Sequence, residues 1–234
     1  MIFIGDIHGQ FQIFLDLLKS KKYQSEILIQ VGDFGVGFYP IDQEYHHLNK
    51  INSWLIKNNS FLYVIRGNHD NPNYFIESPF QLSNIHFLND FDVLTIEDKT
   101  ILFVGGAISI DRKMRREGVD YWKDEELPHI IPDISQIYDG TSIDIVCTHN
   151  CPTYTWPTEL SPIIHKFVTY DKTLIRDLID ERKRLDLLYE KIKDFNGYDP
   201  KHWVYGHMHK TIQTMFGNTT FQCCGINHFY ELLD

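Results

Sequence analysis

The sequence predicts an α/β fold built on two β-sheets, and two observations carry that prediction. Through the first seventy residues, short apolar runs ending in Gly-Asp or Gly-Asn alternate with segments of helical periodicity, a βαβ rhythm. From Phe91 onward the texture changes to strands paired across tight turns, which starts a second sheet.

Residues 1–4 read as a strand closing on Gly5-Asp6, and residues 11–18 as a helix with Phe11, Phe14, Leu15 and Leu18 on one face. A second strand over residues 27–31 ends at Gly32-Asp33 and precedes a helix over residues 45–57. A third, over residues 61–65, ends at Gly67-Asn68-His69-Asp70. Unbroken apolar runs belong to parallel strands buried on both faces, whose ligands bind outside their carboxyl ends, so these motifs should share one edge of one sheet. Residues 92–96 and 100–104 flank Glu97-Asp98-Lys99 as a hairpin, and residues 112–122 are charged and irregular. An apolar strand over residues 143–147 delivers Thr148-His149. Residues 171–195 space Leu174, Leu178, Leu185, Leu188 and Ile192 at helical intervals amid dense opposite charge, which predicts one long surface helix with a solvated charged face. A strand over residues 203–205 ends at Gly206-His207-Met208-His209, and residues 211–216 and 219–223 form a last hairpin across Gly217-Asn218. No repeat, low-complexity tract or linker divides the 234 residues, so one domain, residues 1–234, is expected.

Hydrophobic residues make up 43% of the chain and charged residues 23%, a globular balance that excludes disordered and fibrous classes. The formal net charge of -10 opposes attraction to a polyanion, so nucleic acid is a disfavoured partner. No apolar stretch is long enough to span a bilayer, and the opening Met-Ile-Phe-Ile-Gly-Asp lacks the basic and long apolar regions of a secretory signal. Cys147, Cys151, Cys223 and Cys224 are sparse and include an adjacent pair ill-suited to bridging, so they read as buried thiols of a cytoplasmic protein.

Chemistry concentrates in Asp6-Ile7-His8, Gly32-Asp33, Gly67-Asn68-His69-Asp70, His149 and Gly206-His207-Met208-His209, each just after a predicted strand. By chance an Asp-x-His is expected about once in such a chain, a Gly-His-x-His in roughly one chain in thirty and a Gly-Asn-His-Asp in roughly one in two hundred. Taken singly, Asp6 and Asp33 read as helix-capping carboxylates and His149 as a core histidine; the ordered set overrides those readings. Residues at i and i+2 of an extended segment face the same way, so Asp6 with His8, and His207 with His209, converge on a small volume that two divalent cations can share. Mixed carboxylate, amide and imidazole donors suit Mn, Fe, Zn, Co or Ni better than all-oxygen calcium sites or all-thiolate zinc sites. Glycine before each motif lets the backbone turn tightly. His46, His47, His86, His129, His165, His202 and His228 stand outside the motifs and are assigned no ligand role.

This ordered set, spanning residues 6 to 209, resembles the calcineurin-like metallophosphoesterase superfamily. The resemblance implies a two-sheet β-sandwich flanked by helices and a pair of divalent cations, manganese foremost. It implies that one cation takes Asp6, His8, Asp33 and His209, and the other Asp33, Asn68, His149 and His207, with Asp33 bridging. Ion separations in such sites are about 3.5 to 4 Å, which suits a bridging water acidified from a pKa of about 16 to about 7; that hydroxide attacks phosphorus in line. His69 resembles the family's general acid, with Asp70 orienting its imidazole and keeping it charged. The implied activity is hydrolysis of phosphomonoesters or phosphodiesters. A nucleotide or cyclic-nucleotide phosphodiesterase, or a nuclease, is the alternative, and a non-catalytic metal-binding scaffold is the rival class. The implied substrate is a small molecule, a nucleotide or a phosphoprotein.

Gly5-Asp6-Ile7-His8-Gly9 resembles the opening of the Ser/Thr protein phosphatase branch. That branch continues its second motif with Asp-Arg-Gly, whose arginine binds phosphate, whereas Asp33 is followed by Phe34-Gly35-Val36-Gly37. Residues 105–112, with Trp122 beyond, are closer to small bacterial and phage phosphoesterases. Arg112, Arg115 and Arg116 then become candidates for the phosphate contact, and selectivity is expected from loops 111–122 and 151–165.

Overall fold

In the computed structural model, which describes residues 1–157 and 161–232, β1 (Ile2–Ile4) lies between β2 (Ile27–Gln30) and β11 (Phe229–Glu231). With β3 (Phe61–Val64) and β4 (Ile85–Phe87) they form a five-stranded sheet of order β11-β1-β2-β3-β4, parallel except for β11. Successive side chains alternate between faces, and both faces are covered, which is why the strands read as unbroken apolar runs. Ile2 and Ile4 pack against α1 (Phe11–Lys21) and α2 (Ile41–Lys57), while Phe3 faces the second sheet. α1 buries Phe11, Phe14, Leu15 and Leu18, the four expected residues.

The second sheet contains β5 (Val93–Ile96), β6 (Lys99–Val104), β7 (Ile145–Thr148), β8 (His202–Tyr205), β9 (Ile212–Phe216) and β10 (Thr219–Cys223), in the order β5-β6-β7-β8-β10-β9. Phe103, Ile145, Cys147 and Val204 meet Phe3, Ile29 and Val31 between the sheets. Leu102, Val146, Trp203 and Phe221 face outward onto Leu185, Leu188, Tyr189 and Ile192 of α6 (Leu174–Asn196). The layers run helix, sheet, sheet, helix, the sandwich that the resemblance implied. Short helices α3 (Asn73–Ile76), α4 (Ile134–Ile137) and α5 (Pro162–Val168) lie in the connections.

Several boundaries differ from expectation for local reasons. α2 starts at Ile41 because Pro40, with φ -52°, leads directly into helix and Asp42 and Glu44 suit its first turn. The β5–β6 turn is Glu97 and Asp98, with φ of 50° and 62°; this geometry matches strand twist and leaves Lys99 in the strand. β4 and β11, three residues each, are too short to show a period, and α5 arises within a segment expected to be loop. The charged face of α6 is not wholly solvated: Glu181 and Arg182 are buried. Glu181 accepts the N–H groups of Ile108 and Leu127 and the amide of Asn150, tying the helix to the loops that follow β6 and β7. Cys147, Cys151, Cys223 and Cys224 are unpaired and buried. Residues 158–160 of the expected selectivity loop lie outside the described residues. No described helix is long and apolar enough to cross a membrane.

Candidate metal centre

Three motifs leave the first sheet at the carboxyl ends of β1, β2 and β3, and two leave the second sheet after β7 and β8. The expected sheet edge is therefore half of the site, and the facing sheet supplies the rest. Asp6, His8, Asp33 and His209 place candidate ligand atoms within 4.8 Å of one another, and so do Asp33, His149 and His207. Asn68 joins the second group, with Oδ1 3.1 Å from His149 Nε2. The expected extended i, i+2 geometry does not hold. His8, Asp33, His207 and His209 have φ of 49°, 57°, 63° and 52°, so the ligand segments are kinked through the left-handed region. Such conformations cost about 1–2 kcal/mol per residue and persist where neighbouring contacts enforce them. Here the Asp33 carbonyl accepts the N–H groups of both Ile7 and His8.

The glycines act on motifs other than their own. A Cβ on Gly32 would lie 2.3 Å from His149 Nδ1, one on Gly67 2.1 Å from Asp33 Oδ1, and one on Gly206 2.3 Å from Asp6 Oδ1. Each glycine is the seat of a candidate ligand delivered by a different strand.

Asp6 Oδ2 and Asp33 Oδ2 are buried without a hydrogen-bond partner, which costs about 1–3 kcal/mol or more per group unless a positive charge meets them. His8 Nε2 and His209 Nε2 face each other across 2.9 Å, and His209 Nε2 is 3.3 Å from Asp6 Oδ2. His8 Nε2 lies 3.8 Å from Asp33 Oδ2. His149 Nδ1 is 2.8 Å from the Val31 carbonyl, which as acceptor holds a proton on Nδ1 and turns Nε2, 3.3 Å from Asp33 Oδ1, toward the place a cation would take. Two orphaned carboxylate oxygens ringed by inward imidazole nitrogens fit divalent cations of the borderline class.

The electrostatics agree. Burial alone would raise the Asp33 pKa, but His149, His69 and His8 hold it well below the usual carboxylate range. Burial also opposes protonation of His149, yet Asp33 and then Asp6 push its pKa up to about 9. Desolvation of the half-buried His207, and then the neighbouring His149, hold its pKa well below the ordinary histidine value. The Asp6 carboxylate, 3.3 Å from its Nε2, raises that of His209. A proton on His149 thus balances Asp33 where a cation would otherwise do so.

The expected role of Asp70 is corrected. Its carboxylate accepts the backbone N–H groups of Phe34 (3.2 Å), Gly35 (2.6 Å), Val36 (3.0 Å) and Gly67 (2.7 Å), so it pins the loops carrying Asp33 and Asn68 and does not hold the His69 ring. Nor is His69 kept charged: burial depresses its pKa to about 4 against the pull of Asp33, and Arg115 adds to the depression. Arg115 Nη1 and Nη2 lie 3.1 and 3.0 Å from the His69 ring nitrogens. Of the three candidate arginines, only Arg115 lines the cavity beside the ligands. Arg112 is held by Asp171 at 2.6 Å and Asp177 at 2.5 Å, and Arg116 is exposed.

Sequence reasoning missed a buried relay behind Asn68. Asn68 Nδ2 donates to Ser109 Oγ at 2.9 Å, and Ser109 gives its N–H to Glu125 at 2.8 Å. The Ser109 hydroxyl bonds the same carboxylate, and burial pushes the Glu125 pKa up to about 8. Ser109 stands in the Gly-rich segment after β6, but its link to Asn68 spans 41 residues of chain and leaves no local mark.

No curated protein sequence matches the chain. Among solved structures it is similar to a Staphylococcus aureus protein provisionally named a 5'-nucleotidase, solved with alpha-ketoglutarate, at 15% identity over 97% of this chain and 48% of that one, with a TM-score of 0.47. This chain therefore spans about half the length of that protein. It is also similar to a novel archaeal phosphodiesterase (10% identity, 97% and 84% of the two chains, TM-score 0.36) and to a hypothetical protein from Pyrococcus horikoshii (14%, 97% and 76%, TM-score 0.40). The calcineurin-like phosphoesterase family model matches residues 1–211. Because that match takes in all seven candidate ligands, from Asp6 to His209, and most of the chain, the protein belongs to the calcineurin-like phosphoesterase family.

Proposed function

We propose that this phosphoester hydrolase works with two divalent cations, manganese foremost, one held by Asp6, His8, Asp33 and His209 and the other by Asp33, Asn68, His149 and His207. The observation that carries the reading is the pair of buried, partnerless carboxylate oxygens on Asp6 and Asp33, with Asp33 common to both ligand groups. When bound, the cations supply Lewis acidity that lowers the pKa of a shared water toward about 7 and neutralises charge on the phosphoryl oxygens. Asp33, held ionised, serves both positions. Arg115 meets a phosphoryl oxygen, the contact otherwise lost with the Asp-Arg-Gly motif. His69 gives a proton to the leaving oxygen. In the free site its pKa is too low for an acid, and a phosphoryl dianion entering beside it favours the protonated ring. The substrate is a phosphomonoester or phosphodiester, and the four unpaired thiols fit a reducing, cytoplasmic setting.

The test is a turnover survey of the Mn²⁺-loaded protein on p-nitrophenyl phosphate, bis-p-nitrophenyl phosphate and cyclic nucleotides, with metal content measured on the same sample. Chelation should abolish turnover and added Mn²⁺ restore it. Inactivity of protein carrying two cations across that panel sinks the reading.

A further inference from the structure

We propose that the cavity beside the ligand groups receives the alcohol part of the substrate, and that this substrate is a phosphoester of an aromatic or compact apolar alcohol; the inference rests on the hydrolase reading above. The cavity has a volume of about 310 Å³ and is bounded at one end by Asp33, Asn68, His207 and His209. Its other walls include Trp156, Ile164, Phe167 and Met208. A polar pole joined to an apolar wall sorts a substrate into two parts, with the phosphoryl group at the ligands and the apolar group at the wall. The volume lies at the lower end of the roughly 300–1,000 Å³ of small-molecule sites.

The wall is prepared in advance. The Arg182 guanidinium stacks 3.9 Å from the centroid of the Trp156 ring and donates Nη1 to the Leu178 carbonyl at 3.0 Å. Arg182 is buried beside Cys151, its Nε has no partner, and no described carboxylate pairs with it, so the face of the indole is the main compensation for its charge. Arg182 is therefore a positioning residue for Trp156. Ile164 and Phe167, from α5, pack with Leu174 and Leu178 at the start of α6 in the same cluster as Trp156, which fixes the apolar wall as one unit.

Calorimetric binding of two non-hydrolysable probes to the metal-loaded protein tests this. Benzylphosphonate and methylphosphonate offer similar anions with and without a ring. The former should bind roughly tenfold more tightly through ring burial and stacking. Trp156→Ala should bring that ratio near one and Trp156→Phe should keep most of it, while Arg182→Met lowers the ratio with metal content unchanged. If Trp156→Ala does not fold, Phe167→Ser on the half-buried side of the wall takes its place. Equal affinity of the wild type for the two probes, or a tenfold ratio that survives these truncations, overturns the inference and leaves the hydrolase reading standing. Failure of protein with two bound cations to bind either probe overturns both.

Discussion

Replacing Gly206 with alanine tests whether the glycine seat under Asp6 sets the metal centre. The backbone there is outside the left-handed region, so the added methyl acts through volume alone. Its Cβ would stand 2.3 Å from Asp6 Oδ1 and 3.0 Å from Val31 Cγ2, where ordinary contact begins at 3.4 Å. In a close-packed interior the carboxylate must retreat by about 1 Å. Asp6 is fully buried and cannot swing into solvent. The retreat weakens its 3.2 Å bond from the His207 N–H and moves Oδ2 away from His209. A misplacement of about 1 Å at a reacting centre costs on the order of 10²-fold, and loss of support for a metal ligand about 10–100-fold in affinity. The expected result is a loss of up to about 10²-fold in affinity for the first cation and in kcat/KM, with about 1–3 kcal/mol of overpacking cost in stability. Titration of metal-stripped protein with Mn²⁺ reads the first, turnover the second and denaturant unfolding the third. Gly118→Ala is the control: nothing lies within 4 Å of its added Cβ, and its φ of 76° makes any loss a report of backbone strain. Mn²⁺ affinity within about twofold of wild type in Gly206→Ala would refute the reasoning, since the ligand would then have tolerated the shift.

Four further outcomes are expected. His69→Ala should lower kcat by about 10²–10⁴-fold on esters of weakly acidic alcohols and much less on p-nitrophenyl phosphate; equal losses on both would remove the proton-donor role. Ser109→Ala should release the Asn68 amide and weaken the second cation by about 10–100-fold with the first spared, read by two-step metal titration. Arg115→Ala should raise KM for phosphoesters, whereas Arg112→Ala should act mainly on thermal stability because its partners are Asp171 and Asp177; the reverse pattern would exchange their roles. In metal-free protein the Glu125 pKa rises from 4.5 to about 8, so its folded state holds a proton that the unfolded state releases. Its stabilising contribution is complete below pH 4.5 and is lost as pH climbs through 8. Wild type should therefore lose up to about 5 kcal/mol relative to Glu125→Gln across that window, and a flat difference in unfolding free energy would contradict the sign.

The first half of the fold was legible because its strands are apolar on both faces and each closes on glycine. Ile2 and Ile4 against α1, with Phe3 against the second sheet, is the arrangement that such a run encodes. β4 and β11 were not legible, since three residues carry no period and, unlike the equally short β1, neither closes on a Gly-Asp or Gly-Asn motif. The site divides the same way. The ligand residue types sit at strand ends and were visible, but their kinked backbones were not, because nothing in Asp-x-His distinguishes an extended segment from one passing through positive φ. Asp70 misled because sequence adjacency to His69 suggested a side-chain bond, whereas its carboxylate is used by backbone N–H groups brought from two loops. Glu181 and Arg182 misled for a related reason: charge on a helix is read as solvated, and only the tertiary structure shows what covers it.

The contact between His8 and His209 joins points 201 residues apart in the chain. A cation held there would act as a clasp between the beginning of the first sheet and the loop that follows β8, and it cannot be grasped by a chain in which the two sheets have not yet met. Metal capture is then a property of the closed sandwich as a whole. By mass action a cation at a hundred times its Kd would add about 2.7 kcal/mol to global stability, so every strand, including those far from any ligand, would melt later in its presence.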